Sequence, residues 1–385
     1  MRILMVSMAS IHFFRWAEQL KNSGHEVHWI DVYDSNTYVK KIEFVDQTVG
    51  WKNKFKYPGR YKIKRDFPGL DKIINKVNQR DFIEVFQKKL REIKPDVVHS
   101  FVMYASTVPL FNIMQKHPEI KWIYSAWGND LYFYQNIEPY RQDMMKVLPK
   151  LDYMFADCSR DYKIAEKLGF KGKYLGTFPT GGGYRLKDYK AYISSLTDKK
   201  TIIVKGYEHK FGRCIKVLEA INLIKDELQE YDIKVFAAND KVIDYVNNSS
   251  LTSWSNFRVY GKLGHAEVLQ IMGESLIYIG NSISDGMPNT LLETIIMGAF
   301  PIQSNPGGAT EEIIEDGKNG LLIQNPESID EIAGIIMKAI KNPDLIKQGV
   351  DYNNLRIKPK LERNIIQEQV LEKYELILTE IETST

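Results

Sequence analysis

Two carboxylates, Asp285 and Glu293, flank Pro288 in the run GNSISDGMPNTLLET. Before them an apolar run (Ile277, Tyr278, Ile279) ends at Gly280. After Pro288, the residues Leu291, Leu292, Ile295 and Ile296 recur at helical spacing, so the stretch predicts strand, loop and helix. The first amides of such a helix lack partners within it, and with the helix dipole they suit a phosphate. The candidate seat is formed by Asn289, Thr290 and Leu291, with Gly286 in the loop before them. A carboxylate has two acceptor oxygens. Glu293 can therefore take both hydroxyls of a ribose diol, while Asp285 can reach hydroxyls of a bound sugar. Diphosphate, ribose and sugar together describe a nucleotide-sugar. The competing reading makes Asp285 a helix cap and leaves Glu293 solvated.

In TIIVKGYEHKFGRCIKVLEAI a strand (Thr201 to Val204), a turn at Gly206 and a helix with Val217, Leu218 and Ile221 follow one another, with basic residues that are either solvated or candidates for a diphosphate. Lys205 and Gly206 end the strand, and Lys210 and Arg213 precede the helix, Arg213 with a guanidinium fork suited to phosphate. The segment YGKLGHAEVLQIM, after a further strand, resembles the segment whose backbone holds the base in the family 4 (group 1) glycosyltransferases, and the resemblance makes Tyr260 and Gly261 candidates. No DxD metal motif appears, so Lys210, Arg213 and helix amides must carry the charge a divalent ion would otherwise neutralise, and no metal or cofactor is expected.

The runs SDGMPNTLLETIIMG and GAFPIQSNPGGATEEIIEDGKNGLLI resemble the donor-site signature of the family 4 (group 1) glycosyltransferases. In that signature an acidic residue and a glutamate are separated by seven residues. Asp285 stands where the first is usually glutamate, and Glu293 matches the second. The resemblance implies a GT-B fold, two Rossmann-like domains facing a central cleft, with a C-terminal helix crossing back to the first. It also implies a retaining glycosyltransferase of the hexosyltransferase type, acting in bacterial surface-polysaccharide synthesis. In the first half, PDVVHSF matches the family's PD.VH segment and makes His99 a catalytic candidate beside Asp285, Lys210 and Arg213, although a second histidine of many relatives is here Phe101. SAWGNDLY resembles a WGSD element, and with the opening loop SMASIH it makes Asn129, Asp130 and His12 acceptor candidates. A core imidazole for His99, and helix capping for His12 and Asp130, are the rival readings.

The elements that must position these residues form two βα series. RILMVS, Glu26 to Val32, PDVVHSF, Lys121 to Tyr124, Leu151 to Asp157 and Lys173 to Phe178 read as strands of a first domain, residues 1–180. The glycine-rich, polar stretch 181–200 reads as a linker. Residues 201–358 form the nucleotide-sugar domain. In 359–385 the positions Leu361, Ile365, Ile366, Val370, Tyr374 and Ile377 mark one apolar stripe on a terminal helix.

With 385 residues, 44% hydrophobic and 26% charged, the chain has enough apolar content for two full cores, and its net charge of +3 does not point to nucleic acid. Cys158 and Cys214 lack disulfide or zinc spacing. The opening decapeptide lacks the long apolar region of a signal peptide, which predicts a cytoplasmic protein. Between Lys40 and Arg65, nine basic residues stand against two acids, interleaved with Phe44, Trp51, Phe55, Tyr57 and Tyr61. That composition suits peripheral contact with an anionic membrane on the cytoplasmic face, or else a solvated insertion packed on the domain. The expected partners are therefore a nucleotide-sugar, a glycan or lipid-linked acceptor, and an anionic surface. A non-catalytic two-domain sugar-binding protein and a nucleotide-sugar epimerase of the same fold remain as alternatives.

Overall fold

A computed structural model describes residues 1–55 and 58–384. Contacts divide the chain into two compact units, one of residues 1–156, 162–182 and 369–385, the other of 157–161 and 183–368. Each is built on a parallel sheet, seven-stranded in the first and six-stranded in the second among the described residues.

In the first unit the strands are β1 (Arg2–Ser7), β2 (Glu26–Asp31), β3 (Asp46–Thr48), β4 (Val97–Phe101), β5 (Lys121–Ala126), β6 (Tyr153–Ala156) and β7 (Lys173–Thr177), in the order β3-β2-β1-β4-β5-β6-β7. In the second they are β8 (Thr201–Lys205), β9 (Asp232–Phe236), β10 (Phe257–Val259), β11 (Ser275–Gly280), β12 (Phe300–Ser304) and β13 (Leu321–Ile323), in the order β10-β9-β8-β11-β12-β13. Central strands such as Ile3 to Val6 and Ile202 to Val204 are apolar along their whole length because both sheet faces are covered by helices. In both sheets the chain starts at a central strand, runs out to one edge and returns to the other side. The order reverses between β1 and β4, and again between β8 and β11. Such switch points leave a crevice at the carboxyl ends of the strands.

Residues 183–200, read from composition as linker, belong to the second unit. Tyr184 and Tyr189 are buried in its core. Lys199 is buried too, donating to the carbonyls of Met297 and Gly298 at 3.0 Å, where it caps the end of helix Asn289–Ile296. Burial, and then the charge of Lys358, bring its ammonium down to about 8.

In the segment 40–65, read from sequence either as a membrane contact or as an insertion packed on the domain, one ring packs inward. Trp51 is buried, donates Nε1–H to the Asp31 carbonyl at 2.8 Å and packs on Phe82, so it is a core ring and not a surface one. Ile42 and Val45 are buried as well, whereas Phe55 is exposed. Lys56, Tyr57 and the Tyr61 side chain lie outside the described residues. Among the described residues no helix is long and apolar enough to cross a membrane.

The terminal helix Arg363–Ser384 starts in the second unit and belongs to the first from Gln369 onward. Val370, Tyr374 and Ile377 are fully buried, but Ile365 of the expected stripe is at the surface. The Tyr374 hydroxyl accepts from Trp16 Nε1 at 3.3 Å and lies 2.7 Å from His99 Nδ1; the other ring nitrogen of His99 is 2.8 Å from Ser125 Oγ. Burial holds the His99 imidazole well below its ordinary 6.5. The unfolded chain would take up this proton below pH 6.5 while the folded chain does not. The associated stability is therefore fully present above that pH and is lost as pH falls, by up to about 1.4 kcal/mol per pH unit. Urea unfolding of wild type and His99→Gln between neutral pH and pH 5 should show a shallower acid loss in the variant; parallel pH profiles would assign the acid sensitivity elsewhere.

Candidate functional site

At the switch point of the second sheet, the loop after β8 and the loop after β11 are joined backbone to backbone. Arg213 N donates to Asn281 O at 3.0 Å and Ile283 N to Phe211 O at 2.9 Å, while Gly212 and Ser282 form a β-bridge. Asn281 Nδ2 returns to Arg213 O at 3.2 Å, and Ser282 N donates to Ser304 Oγ at the end of β12 at 2.8 Å. These links bring Lys205, Gly206, Lys210 and Arg213 into one assembly with Asp285 and Gly286. Gly206 is required by close approach. A Cβ there would stand 2.6 Å from Ala238 Cα.

Each basic residue has a distinct setting. Lys205 is half-buried with Nζ 5.7 Å from the Tyr207 ring centre, and exposed Lys210 has Nζ 5.3 Å from that of Phe211. Arg213, expected to offer an open fork, pairs through Nε with Glu327, and its Nη1 donates to Gly212 O at 2.8 Å and His209 O at 3.2 Å. Its charge stays in the loop, but this edge of the guanidinium holds protein. Sequence reading passed over His209, the neighbour of Lys210. Its Nδ1 accepts from Phe211 N at 2.9 Å and Gly212 N at 3.0 Å, which puts the proton of the neutral ring on Nε2. Burial first, then the charge of Lys205, lowers its pKa, with Asp285 acting in the opposite sense and Arg213 and Lys241 adding to the lowering. A neutral ring with an outward N–H is a phosphate or sugar donor.

On the β11 side, helix Asn289–Ile296 starts at Pro288, and no side chain caps it, so Asp285 is not its cap. Asp285 Oδ1 instead accepts from Gly286 N at 2.9 Å. Asn289 accepts the Tyr184 hydroxyl on its Oδ1 at 2.9 Å. The Thr290 carbonyl accepts from Thr294 Oγ1 at 2.7 Å. Leu291 N donates to Pro288 O at 3.0 Å and its side chain is fully buried, which removes it from the amide seat. Glu293 is not solvated. It is 7% exposed, with Oε1 3.2 Å from Nε2 of His265, a partner the sequence reading did not select. Tyr260, expected to hold a base through its backbone, donates N–H to Val235 O at 2.8 Å and accepts from Ala238 N at 2.9 Å, so its backbone serves the sheet edge; Gly261 follows it in the loop.

The segment Asp157–Asp161 is part of this unit and fastens the site from below. Arg160 is buried beside Asp161, with Nε and Nη2 on its Oδ1 at 2.9 and 2.7 Å, and its Nη1 donates to the Asp285 carbonyl at 2.8 Å and the Pro306 carbonyl at 2.6 Å. Glu312 accepts from Ser159 N, Ser159 Oγ and Arg160 N within 3.1 Å. Gly286 packs on the same segment. A Cβ on it would meet both Asp157 carboxylate oxygens at 2.4 Å. Asp157, Cys158 and Asp161 form a group of metal-ligand types, with ligand atoms within 4.8 Å of one another. The Arg160 guanidinium already supplies a positive charge there, and burial pushes the Cys158 thiol up, away from the thiolate a metal needs.

Among the first-unit candidates, two point inward. His99 is a core imidazole, stacked on Phe101 at 4.0 Å with both nitrogens engaged, and has no catalytic surface. Asp130 is buried, and both carboxylate oxygens accept from Met103 N at 2.8 Å while Tyr124 hydroxyl donates to it. Its work is to hold the turn after β4, where Val102 has φ 71°, a strained value for a β-branched residue. Asn129 is half-buried, and its Oδ1 has no hydrogen-bond partner among the described residues. His12 is half-buried in the first turn of helix Ile11–Ala17.

Residues 192–355 match the family model described as glycosyl transferases group 1, and residues 2–158 match one described as glycosyl transferase 4-like. The chain is a glycosyltransferase, its second half matching the group 1 model. A comparison with curated protein sequences returned no match. Among solved structures the fold is similar to that of a sucrose-phosphate synthase from Thermosynechococcus elongatus (TM-score 0.73, 14% identity, 98% of this chain and 99% of that one). It is also similar to a glycosyltransferase from Rickettsia africae (0.64, 17%, 98% and 98%) and to HepE from Anabaena in complex with UDP-glucose (0.67, 10%, 97% and 99%). The two Rossmann-like units are those of a GT-B enzyme.

For this glycosyltransferase, the sequence signal that could have found His209 was its position between Lys205 and Arg213. Arg160 and His265 had no local signal for this site, since Arg160 reaches the Asp285 carbonyl 125 residues away and His265 reaches Glu293 28 residues away. Removing a buried cation while its partner stays costs about 3–5 kcal/mol. Arg160→Ala should therefore lower stability by that order. Arg160→Lys, which keeps the charge without the fork, should retain more of the fold yet lose turnover because the Asp285 loop is unfastened. Thermal unfolding and steady-state rates on both variants check this; a Lys variant with native turnover would deny Arg160 a positioning role.

Proposed function

We propose that this glycosyltransferase takes a sugar from a nucleotide-diphosphate donor bound in the second unit and passes it, with retention of anomeric configuration, to a glycan or lipid-linked saccharide acceptor in surface-polysaccharide synthesis. The observation that carries the donor assignment is Glu293. It is a buried carboxylate one turn inside a helix that follows the β11 loop, and that loop is paired backbone to backbone with the loop that follows Lys205 and bears His209, Lys210 and Arg213. A buried carboxylate behind a loop that is paired with a basic one suits a ribose diol and a diphosphate. Asp285, Gly286, Asn289 and Thr290 complete the seat, with Asp285 toward the sugar.

In this mechanism the chain stabilises charge on the departing nucleotide diphosphate and on an oxocarbenium-like sugar. Lys210 and Lys205 supply positive charge, Arg213 adds its field while holding the loop, and His209 donates Nε2–H. These residues and the helix amides meet the diphosphate with no metal taking part. UDP-sugars are the first donors to try, since HepE from Anabaena was solved with UDP and glucose and with UDP-glucose, and the pneumococcal GtfA with UDP and GlcNAc. His12 and Asn129 are the acceptor-side residues in the first unit. Assignment to family 4, retention and the polysaccharide acceptor rest on the signature from Ser284 to Ile323. A lipid-linked acceptor would place the enzyme peripherally on the cytoplasmic face of the membrane.

Mixing donor with candidate acceptors and measuring free UDP tests the reading. Transfer requires UDP release that depends on acceptor; a sugar-binding protein would release none, and an epimerase would convert donor without acceptor. Glu293→Ala should weaken donor binding by about 1.5–3 kcal/mol, the loss of hydrogen bonds to a charged acceptor, and titration calorimetry with UDP-sugar would read it; native affinity in the folded variant removes Glu293 from the site. Lys210→Ala should reduce kcat well beyond any change in melting temperature, and activity should persist in EDTA. An enzyme indifferent to the lysine and silent without a divalent ion would overturn the charge scheme.

A further inference from the structure

The helix Pro68–Asn78 in the first unit is inverted in polarity. Its face toward the protein carries Asp71 and Asn78, 8% and 5% exposed, whereas Leu70, Ile73 and Val77 are 49%, 66% and 68% exposed. The exposed residues are spaced three and four apart and so lie along one face. The inward face is fixed by polar contacts. Asn78 Oδ1 accepts from Phe55 N at 2.8 Å and its Nδ2 donates to Phe55 O at 3.0 Å, Asn75 Nδ2 donates to Asp71 at 2.8 Å, and Lys54 N donates to Asn78 O at 2.8 Å. These contacts hold Phe55, 69% exposed, at the carboxyl end of the helix, while Phe67, 61% exposed, stands at its start. Five large apolar side chains are thus presented outward by one small substructure. A surface helix normally buries such a stripe in its own core.

What surrounds the stripe identifies its partner. Residues 52–80 contain ten Lys and Arg against two Asp, and one of those, Asp71, is turned inward. The preceding helix Arg60–Asp66 carries Lys62 and Lys64, and Lys72 and Lys76 flank the stripe itself, all exposed. Apolar residues among lysines match the boundary of an anionic bilayer, with acyl chains for the side chains and phosphates for the ammonium groups. A protein partner would have to bring a dense acidic patch around an apolar groove.

We infer that the hairpin of helices Arg60–Asp66 and Pro68–Asn78 is a membrane-docking element that inserts Phe67, Leu70, Ile73 and Val77 into an anionic lipid surface. The sequence had suggested electrostatic contact through residues 40–65 with Trp51 among the anchoring rings; the fold buries Trp51 and moves the anchor to the following helix. The inference deepens the proposed function by adding the surface that would bring the enzyme to a lipid-linked acceptor, but the docking itself does not depend on that acceptor.

Flotation of the full chain with vesicles of phosphatidylcholine alone, or mixed with phosphatidylglycerol, tests it. Binding should appear with the mixed vesicles and fall with salt. The triple variant L70E/I73E/V77E should bind about tenfold or more weakly, as should K62E/K64E/K72E/K76E. Because all these side chains are exposed, melting temperature and acceptor-independent UDP-sugar binding should stay native, which separates failure of docking from failure of the donor site. In Ile73→Trp the indole emission should shift to the blue on adding anionic vesicles. Three results would overturn the inference: equal flotation with neutral and mixed vesicles, native binding by the triple variant, or a dimer that the triple variant abolishes while vesicle binding is absent throughout.

Discussion

The pairing of the loop after β8 with the loop after β11 is the constraint from which the candidate site follows. Two loops at a switch point have no sheet between them to fix their separation. Here they obtain it from backbone hydrogen bonds, Arg213 N–H to Asn281 O and Ile283 N–H to Phe211 O, that extend sheet-like pairing beyond the strands. A basic loop and an acidic loop are thereby held at fixed distance without relying on their attraction. This matters because charges meant for a ligand should not be neutralised by one another. Two charge pairs, Arg213 with Glu327 and Arg160 with Asp161, hold backbone.

Arg160 extends the same logic. Its guanidinium binds one carboxylate and two carbonyls, those of Asp285 and Pro306, so one buried cation joins the loops after β11 and β12. Gly286 packs against the same segment so closely that a side chain is excluded. The segment Asp157–Asp161 is a small part of the second unit by length and is connected at both ends to residues of the first. Its burial gives the Asp285 loop a rigid floor. Pre-organisation of this kind stabilises a transition state more than a substrate, because nothing must reorganise as charge develops.

The first unit uses polar residues differently. His99 and Asp130 resemble functional residues in sequence, yet both are satisfied internally, one by Tyr374 and Ser125 and the other by Met103 N and Tyr124. Each ties an element distant in sequence to the sheet. His99 receives the terminal helix, and Asp130 receives the strained turn at Val102. In helix Pro68–Asn78 the opposite happens, with apolar residues outward and polar ones inward. In both cases most of the inward polar atoms find a partner, with Asp71 Oδ1 and Asn75 Oδ1 the exceptions on the helix among the described residues.

Periodicity and local chemistry in the sequence determined the two parallel sheets, the strand, loop and helix around Asp285 and Glu293, the βα unit carrying Lys205 to Arg213, and the terminal helix with Val370, Tyr374 and Ile377. These depend on residues close together in the chain, where burial period and turn chemistry leave few alternatives. Only the tertiary structure decided which candidates the protein itself engages. Leu291 N and the Tyr260 backbone are engaged at home, the Arg213 fork holds a loop, His99 and Asp130 turn inward, and Trp51 is core while Leu70, Ile73 and Val77 are not. His209, His265 and Arg160 entered the site for the same reason. A side chain's role depends on which partner reaches it first, and for a group whose partner is scores of residues away that is settled by packing, which no local window of sequence contains.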